Sequence, residues 1–368
     1  MRPLRLLLVA LTLGGVSASV VRAQETAAPP SLLVSPSIET PPPAPFSPFP
    51  EAPAGTAPAA AVADPNAAPA PSFLPTPVAT AAMPAGSAAP PGSPAAEAYG
   101  AFQRGYYLSA MRLAEPLANL GDPAAQTLLG EIYARGLGVP RDEKEAARWY
   151  GIAAKAGVAE AQFRYALMLI DGRAVERDDA AARDLMKAAA DAGNPLAAFN
   201  YGQMLIQSSP TGGFAEALGY FRKAAGSGVP DAEYALSQLY AYGRGTERAD
   251  DGEARRWLTE AARSGHDTAQ IELGIWLING RGGAADPREG FRWLKGAAER
   301  GNPIAVNRVA HLYKDGIGIA ADRLEAGKWV VLARRAANSD AALDGWFRSL
   351  PDGDQKAALE AANRFRSG

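Results

Sequence analysis

No cysteine occurs in the 368 residues. That excludes disulfides, thiolate metal sites, cysteine nucleophiles and a lipid-modified cysteine behind a leader. Histidine is nearly missing: His266 and His311 are the only two, and they lack metal-ligand spacing. Neither a Gly-x-Ser-x-Gly elbow nor a His-Glu-x-x-His pair occurs. The sequence therefore calls for no cofactor and no metal, and it reads as a non-enzyme. No charge sign dominates, with 37 Lys and Arg against 39 Asp and Glu. That balance gives no support to nucleic acid or an anionic membrane as partner.

One long stretch lacks cations altogether. Residues 24–94 hold no Lys or Arg, and 20 of the 71 are Pro and 19 are Ala. Such a composition cannot bury enough apolar area to offset its ordering entropy. It predicts a disordered, semi-rigid spacer. Two aromatic motifs interrupt it, Pro45–Pro50 and Ser72-Phe73-Leu74-Pro75, and read as sticky linker or as short docking motifs. Ahead of it, residues 1–23 read as a secretory signal peptide. Arg2 and Arg5 precede an apolar run, Leu6–Val21, and Val21-Arg22-Ala23 offers small residues for cleavage. The run is shorter than the roughly 20 residues that span a bilayer. The expectation is export to the periplasm or beyond, with the segment cleaved or kept as an anchor. No integral membrane segment is expected after cleavage, and the mature chain would carry a balance of −5.

The remainder repeats itself. Gly121, Gly157, Gly193, Gly228, Gly265 and Gly301 stand 36, 36, 35, 37 and 36 residues apart. A period in this range with two helical stretches per unit marks an α-solenoid. The spacing predicts helices over about 123–135 and 143–155 in the clearest unit. Ala125, Leu129, Ile132, Tyr133 and Gly136 share one face of the first, and Gly130 leaves room for a neighbouring helix. Ala146, Trp149, Ala153 and Ala154 form the matching face of the second. The Trp position returns as Leu185, Tyr220, Trp257, Trp293 and Trp329, a packing stripe. Gly121-Asp122-Pro123, Gly193-Asn194-Pro195 and Gly301-Asn302-Pro303 place a left-handed Gly, a capping side chain and a first-turn Pro in series. Gly136-Leu137-Gly138 and its counterparts at 243–245, 280–282 and 316–318 read as tight turns, not phosphate loops, since no strand precedes them. Asp142/Glu145, Asp250/Glu253, Asp286/Glu289 and Asp322/Glu325 could be catalytic carboxylate pairs. Their Asp-x-x-Glu spacing at second-helix starts fits a capping box instead.

The pattern Ala-x-x-x-Leu-Gly-x-x-Tyr-x-x-Gly-x-Gly-Val, then Asp, then Ala-x-x-Trp-Tyr-x-x-Ala-Ala-x-x-Gly resembles the Sel-one-like repeat (SLR), a relative of tetratricopeptide repeats. The resemblance covers roughly 124–337 in six units. It departs most in the third, where Ser208–Gly213 replace the Gly-x-Gly turn, and in the second, where Ala174 replaces a Gly. The expected fold is all-α: a right-handed α-solenoid of antiparallel helix pairs over 95–337. Its units run about 95–121 (incomplete), 122–157, 158–193, 194–228, 229–265, 266–301 and 302–337, closed by a helical cap over 338–368. His266 reads as a solvated residue of an inter-repeat turn. The resemblance implies a non-catalytic adaptor, in bacteria often at the envelope, with first helices lining the concave surface. A structural or glycan-binding envelope protein, or a hydrolase with a cryptic groove, are the alternatives.

Helical geometry selects a candidate face. At i, i+3 and i+7 of each first helix runs a stripe that changes from unit to unit. Its polar members Arg164, Asn200, Gln203, Gln238, Tyr242, Glu272, Asn279, Arg308 and His311 are the candidate contacts to a protein partner. Nothing in the sequence names that partner or an oligomeric state.

Overall fold

The computed structural model describes residues 92–209 and 213–365. The expected leader and most of the Pro/Ala-rich spacer lie outside these residues. The described part holds sixteen helices and no strand.

Two helices precede the first full unit, α1 (Pro94–Gln103) and α2 (Tyr107–Asn119). The six expected units supply six pairs: α3 (Pro123–Arg135) with α4 (Glu143–Lys155), α5 (Ala159–Asp171) with α6 (Asp179–Asp191), and α7 (Pro195–Ser208) with α8 (Phe214–Ala225), then α9 (Pro230–Tyr242) with α10 (Asp251–Arg263), α11 (Asp267–Asn279) with α12 (Pro287–Glu299), and α13 (Pro303–Asp315) with α14 (Arg323–Arg335). The chain ends in α15 (Ala341–Arg348) and α16 (Asp352–Arg364). From α1 to α14 each helix packs on the next. This nearest-neighbour order makes the chain an α-solenoid. The incomplete N-terminal unit of the sequence reading is a full helix pair here. At the other end α16, not α15, forms the main contact with α14.

Alanine sets the helix spacing. Ala125, Ala146, Ala161, Ala182, Ala197, Ala217, Ala232, Ala254, Ala269, Ala305 and Ala326 are all essentially fully buried. Small side chains let helix axes approach, and the gaps are filled by Trp329, Tyr150, Phe221, Leu129 and Leu294. Gly130 is small for the expected reason: a Cβ there would lie 2.7 Å from the Tyr150 ring of its own unit.

The unit boundaries follow the expected device. Gly121, Gly157, Gly193, Gly228, Gly265 and Gly301 all have positive φ, between 76° and 95°. Asp122, Asn194 and Asn302 then accept a backbone N–H in the next helix's first turn.

Three details differ from the sequence reading. The acid pairs form half a capping box. Asp142, Asp250, Asp286 and Asp322 accept from the N–H of Glu145, Glu253, Glu289 and Glu325. The glutamates do not reach back. Each pairs with a cation three residues on, Arg148, Arg256, Arg292 or Lys328. The capping aspartates' own N–H groups are already donated to first-helix carbonyls of Tyr133, Tyr240, Leu277 and Tyr313. Arg148 and Arg256 also lie over Trp149 and Trp257, at 4.1 and 4.6 Å from the ring.

The second difference is in the Gly-x-Gly turns, whose two glycines have separate tasks. Gly136, Gly243, Gly280 and Gly316 take the left-handed C-cap. The second glycine lies against the preceding unit. A Cβ on Gly245, Gly282 or Gly318 would fall 2.5, 2.2 or 2.0 Å from the carbonyl oxygen of Phe214, Asp251 or Pro287. Those residues open the preceding second helix. The turn is therefore also the joint between units.

The third concerns His266, which is not solvated. It is the N-cap of α11, where its Nδ1 accepts from the Ala269 N–H at 3.1 Å. Its ring stacks on Tyr234 with centroids 4.5 Å apart. Burial lowers its pKa below the ordinary histidine value.

Candidate partner-binding face

The stripe runs along α3, α5, α7, α9, α11 and α13. Its neighbours on each helix are packed: Leu129, Ile132, Phe163, Ala166, Leu236, Leu239, Leu273 and Trp276 are buried. The stripe is mostly half-buried, and much of it is engaged with itself.

On α3, Leu128 is buried, and Glu131 accepts from the Tyr150 hydroxyl at 2.7 Å while pairing with Arg135 at 3.1 Å. On α5, Arg164 Nε stands 2.7 Å from Glu160 Oε1. Burial works against its charge, but Glu160, Tyr150 and Glu131 hold its pKa above the ordinary arginine value. Glu160 continues across the boundary, its Oε2 accepting from Asn194 Nδ2 at 2.8 Å. On α7, Asn200 Nδ2 donates to the Leu196 carbonyl at 2.8 Å, and Gln203 is half-buried beside it.

Units four and five are joined through the stripe. Gln238 Nε2 donates to Glu272 Oε2 at 3.0 Å. The same carboxylate takes a hydrogen bond from Tyr234, whose hydroxyl is pushed well up by burial and by Glu272. At the last unit His311 is committed to the cap. Its Nε2 lies 2.8 Å from Asp340 Oδ2, and Asn307 Nδ2 adds a bond at 3.1 Å. Burial would raise the Asp340 pKa. The bonds from His311, the Leu343 N–H and Asn307 outweigh it and lower the value to about 2.

Four candidates remain available. Tyr242 is 52 % exposed. Arg244, in the following turn, stands 5.6 Å from its ring and 5.4 Å from the Phe214 ring. Asn279 is exposed. Arg308 and Gln203 have no hydrogen-bond or ion-pair partner among the described residues. The structure thus brings Gln238 and Glu272 together, adds Arg244 beside Tyr242, and leaves Arg308 two units away. Among the described residues no cluster of His, Asp and Glu could hold a metal ion, and no helix is long and apolar enough to cross a membrane.

The Sel1 repeat pattern matches at 123–158, 159–194, 195–229, 230–266, 268–302 and 303–338, more than half of the chain. The chain belongs to the Sel1 repeat family. Members are generally protein-interaction scaffolds, and the fold is typically non-catalytic. A solved Sel1 repeat protein from Oxalobacter formigenes is 27% identical, with TM-score 0.56, over 65% of this chain and 96% of that one. A protective antigen of uropathogenic Escherichia coli strains with an SLR fold is 24% identical, with TM-score 0.46, over 70% of this chain and 64% of that one. No curated protein matches the chain.

Within the Sel1 units, one recurrent polar device escaped the sequence reading. Gln126, Gln162 and Gln270 each donate their side-chain amide to the carbonyl eight residues back, Ala118, Ala154 and Ala262. This stitches each first helix to the preceding unit. Unit four has Glu233 at that register. It is 5 % exposed, one carboxylate oxygen has no partner, and burial raises its pKa. The repeat spacing of Gln at 126, 162 and 270 was the available signal.

Proposed function

We propose that this Sel1 repeat protein is an exported, non-catalytic adaptor of the bacterial envelope, and that the first-helix stripe takes a segment of a partner protein. The observation that carries the reading is the contrast inside each first helix. Packing positions keep their type from unit to unit, while the stripe varies and, in units four to six, leaves Tyr242 and Asn279 exposed and Arg308 half-buried without a partner among the described residues. Variation at fixed geometry builds a specific surface on an unchanged fold. Tyr and Arg dominate interface hot spots, so Tyr242 and Arg308 are the anchors. The leader features at Arg2, Arg5 and Leu6–Val21 support export.

The test begins with crosslinking in the cells that make the protein and identification of what is captured. Tyr242→Ala and Arg308→Ala should each weaken that partner about tenfold or more, near 1.4 kcal/mol, with the fold intact. Unchanged affinity in both, together with loss from substitutions on the second helices, would remove the stripe from the reading. Export is checked separately by the mature N-terminus, expected at Gln24 or within a few residues.

A further inference from the structure

The two ends of the array are finished differently. At the C-terminal end α16 covers α14 and turns Lys356, Glu360, Asn363 and Arg364 to solvent. A polar outer face is what a terminal repeat requires. At the other end no described helix precedes α1, so among the described residues its outer side has no neighbour of the kind every later first helix has. That end is rich in aromatics. Tyr99, Phe102, Tyr106 and Tyr107 fall within nine residues. Phe102 is set edge-on to Tyr107 at 5.5 Å and stacked with Tyr99 at 6.3 Å. Tyr106 is 62 % exposed, and Leu113 is exposed on the same side. A depression of about 450 Å³ lies between α1 and α2, lined by Gly92, Ala96, Leu113 and the polar Glu97, Arg104 and Ser109, with Tyr106 its one aromatic; Tyr99 and Phe102 pack against the core instead.

We propose that this depression is an intramolecular docking site for the chain's own Ser72-Phe73-Leu74-Pro75. Three observations select that occupant. Proline-containing segments dock against exposed aromatic rings, because such a segment is already extended and loses little entropy, and Tyr106 offers that ring here. The chain enters the described structure at Gly92, on the rim of the depression itself. Phe73 is the nearest aromatic on the N-terminal side, and 16 residues separate Pro75 from Gly92. Even fully extended as polyproline II, 16 residues reach at most about 50 Å, so the segment stays within that radius of Gly92, at an effective concentration in the millimolar range. A contact too weak to form between separate molecules is then populated within one chain. The stretch supplies the apolar cover that α1 lacks and shortens the free tether to the residues before 72.

The experiment is amide hydrogen exchange on the full mature chain. Phe73→Ser with Leu74→Ser alters only the docking segment and leaves the solenoid's sequence untouched. We expect exchange over 95–117 to quicken about three- to tenfold, with 230–335 unchanged. Tyr106→Ala, at an exposed position, should give the same pattern, with helicity by circular dichroism retained. A synthetic peptide spanning 68–79, added to the doubly substituted chain, should restore protection. Unchanged exchange over 95–117 in the double variant overturns the proposal. So does wild-type protection that falls on dilution, which would assign the face to a second copy.

Discussion

Replacing Gly282 by Ala tests the idea that the second turn glycine is a joint between units. Two costs add. Gly282 has φ 73°, where an L-residue is strained, at about 1 kcal/mol. The new Cβ would also stand 2.2 Å from the Asp251 carbonyl oxygen and 2.9 Å from Arg255 Cβ. Backbone cannot step aside as a flexible side chain can. Overpacking of this kind costs about 1–3 kcal/mol, giving a total of about 2–4 kcal/mol. Moving the turn away from α10 would also strain the Arg255 Nη1 bond to the Ala284 carbonyl at 2.9 Å and the Arg281–Asp251 pair at 2.9 Å. Gly193→Ala is the control. It has φ 92°, but a Cβ there meets nothing within 4 Å, so only the strain of about 1 kcal/mol applies. Urea titration of both variants, followed by far-ultraviolet circular dichroism and by tryptophan fluorescence, separates them. Fluorescence weights this region, since three of the six tryptophans, Trp257, Trp276 and Trp293, lie in units four and five. If Gly193→Ala costs as much as Gly282→Ala, left-handed strain alone explains both, and the joint is refuted.

Other substitutions follow from the polar chemistry. Glu233→Gln should stabilise by about 1 kcal/mol, because the amide regains the donor that Gln126, Gln162 and Gln270 use. The folded-state pKa of Glu233 is raised, so the wild-type contribution is complete below the unfolded value and is lost as pH rises; the advantage of Gln therefore grows with pH, read by denaturation at pH 4 and 7. His266 has the opposite sense. Its pKa is depressed, so its stabilisation is present above about pH 6.5 and declines as pH falls through the folded value. His266→Asn, which keeps an N-cap acceptor, should flatten that part of the stability–pH curve. Finally, α8 starts at Gly213 with no side-chain cap, unlike α4, α6, α10, α12 and α14. Amide exchange should be faster in its first turn than in theirs, and equal protection would count against the capping account.

The helix boundaries were readable because their signals are local. Gly193-Asn194-Pro195 carries its stop, cap and start in three adjacent residues, and the helix indeed begins at Pro195. What was not readable depends on partners about a unit away. The glutamates of the Asp-x-x-Glu pairs looked like capping-box arms. The competing contact, a backbone bond from Asp142 to Tyr133, spans the turn and carries no side-chain signature. His266 looked solvated because it follows Gly265 in an inter-repeat turn, yet the ring that covers it belongs to Tyr234, 32 residues earlier. The 3.6-residue period gathers the stripe on one side of each first helix, where its positions are half-buried or exposed except for the buried Leu128 and Ala235. Its internal bonds, such as Gln238 to Glu272, require two adjacent helices to be set side by side.

The joint at the second turn glycine has a consequence for how such a chain changes over time. What Gly245, Gly282 and Gly318 meet is the carbonyl oxygen of Phe214, Asp251 and Pro287, three unlike residues offering the same atom. This contact, unlike the Arg255 and Arg281–Asp251 bonds that reinforce the joint at Gly282 and unlike Gly138, which meets the side chains of Tyr107 and Leu108, does not depend on the identity of its neighbour. One unit can therefore be copied, deleted or exchanged for another without redesigning the seam, and the new neighbour inherits a working contact. Array length and surface composition become separate heritable variables. The first changes by recombination of whole units, the second by point substitution along the first helices.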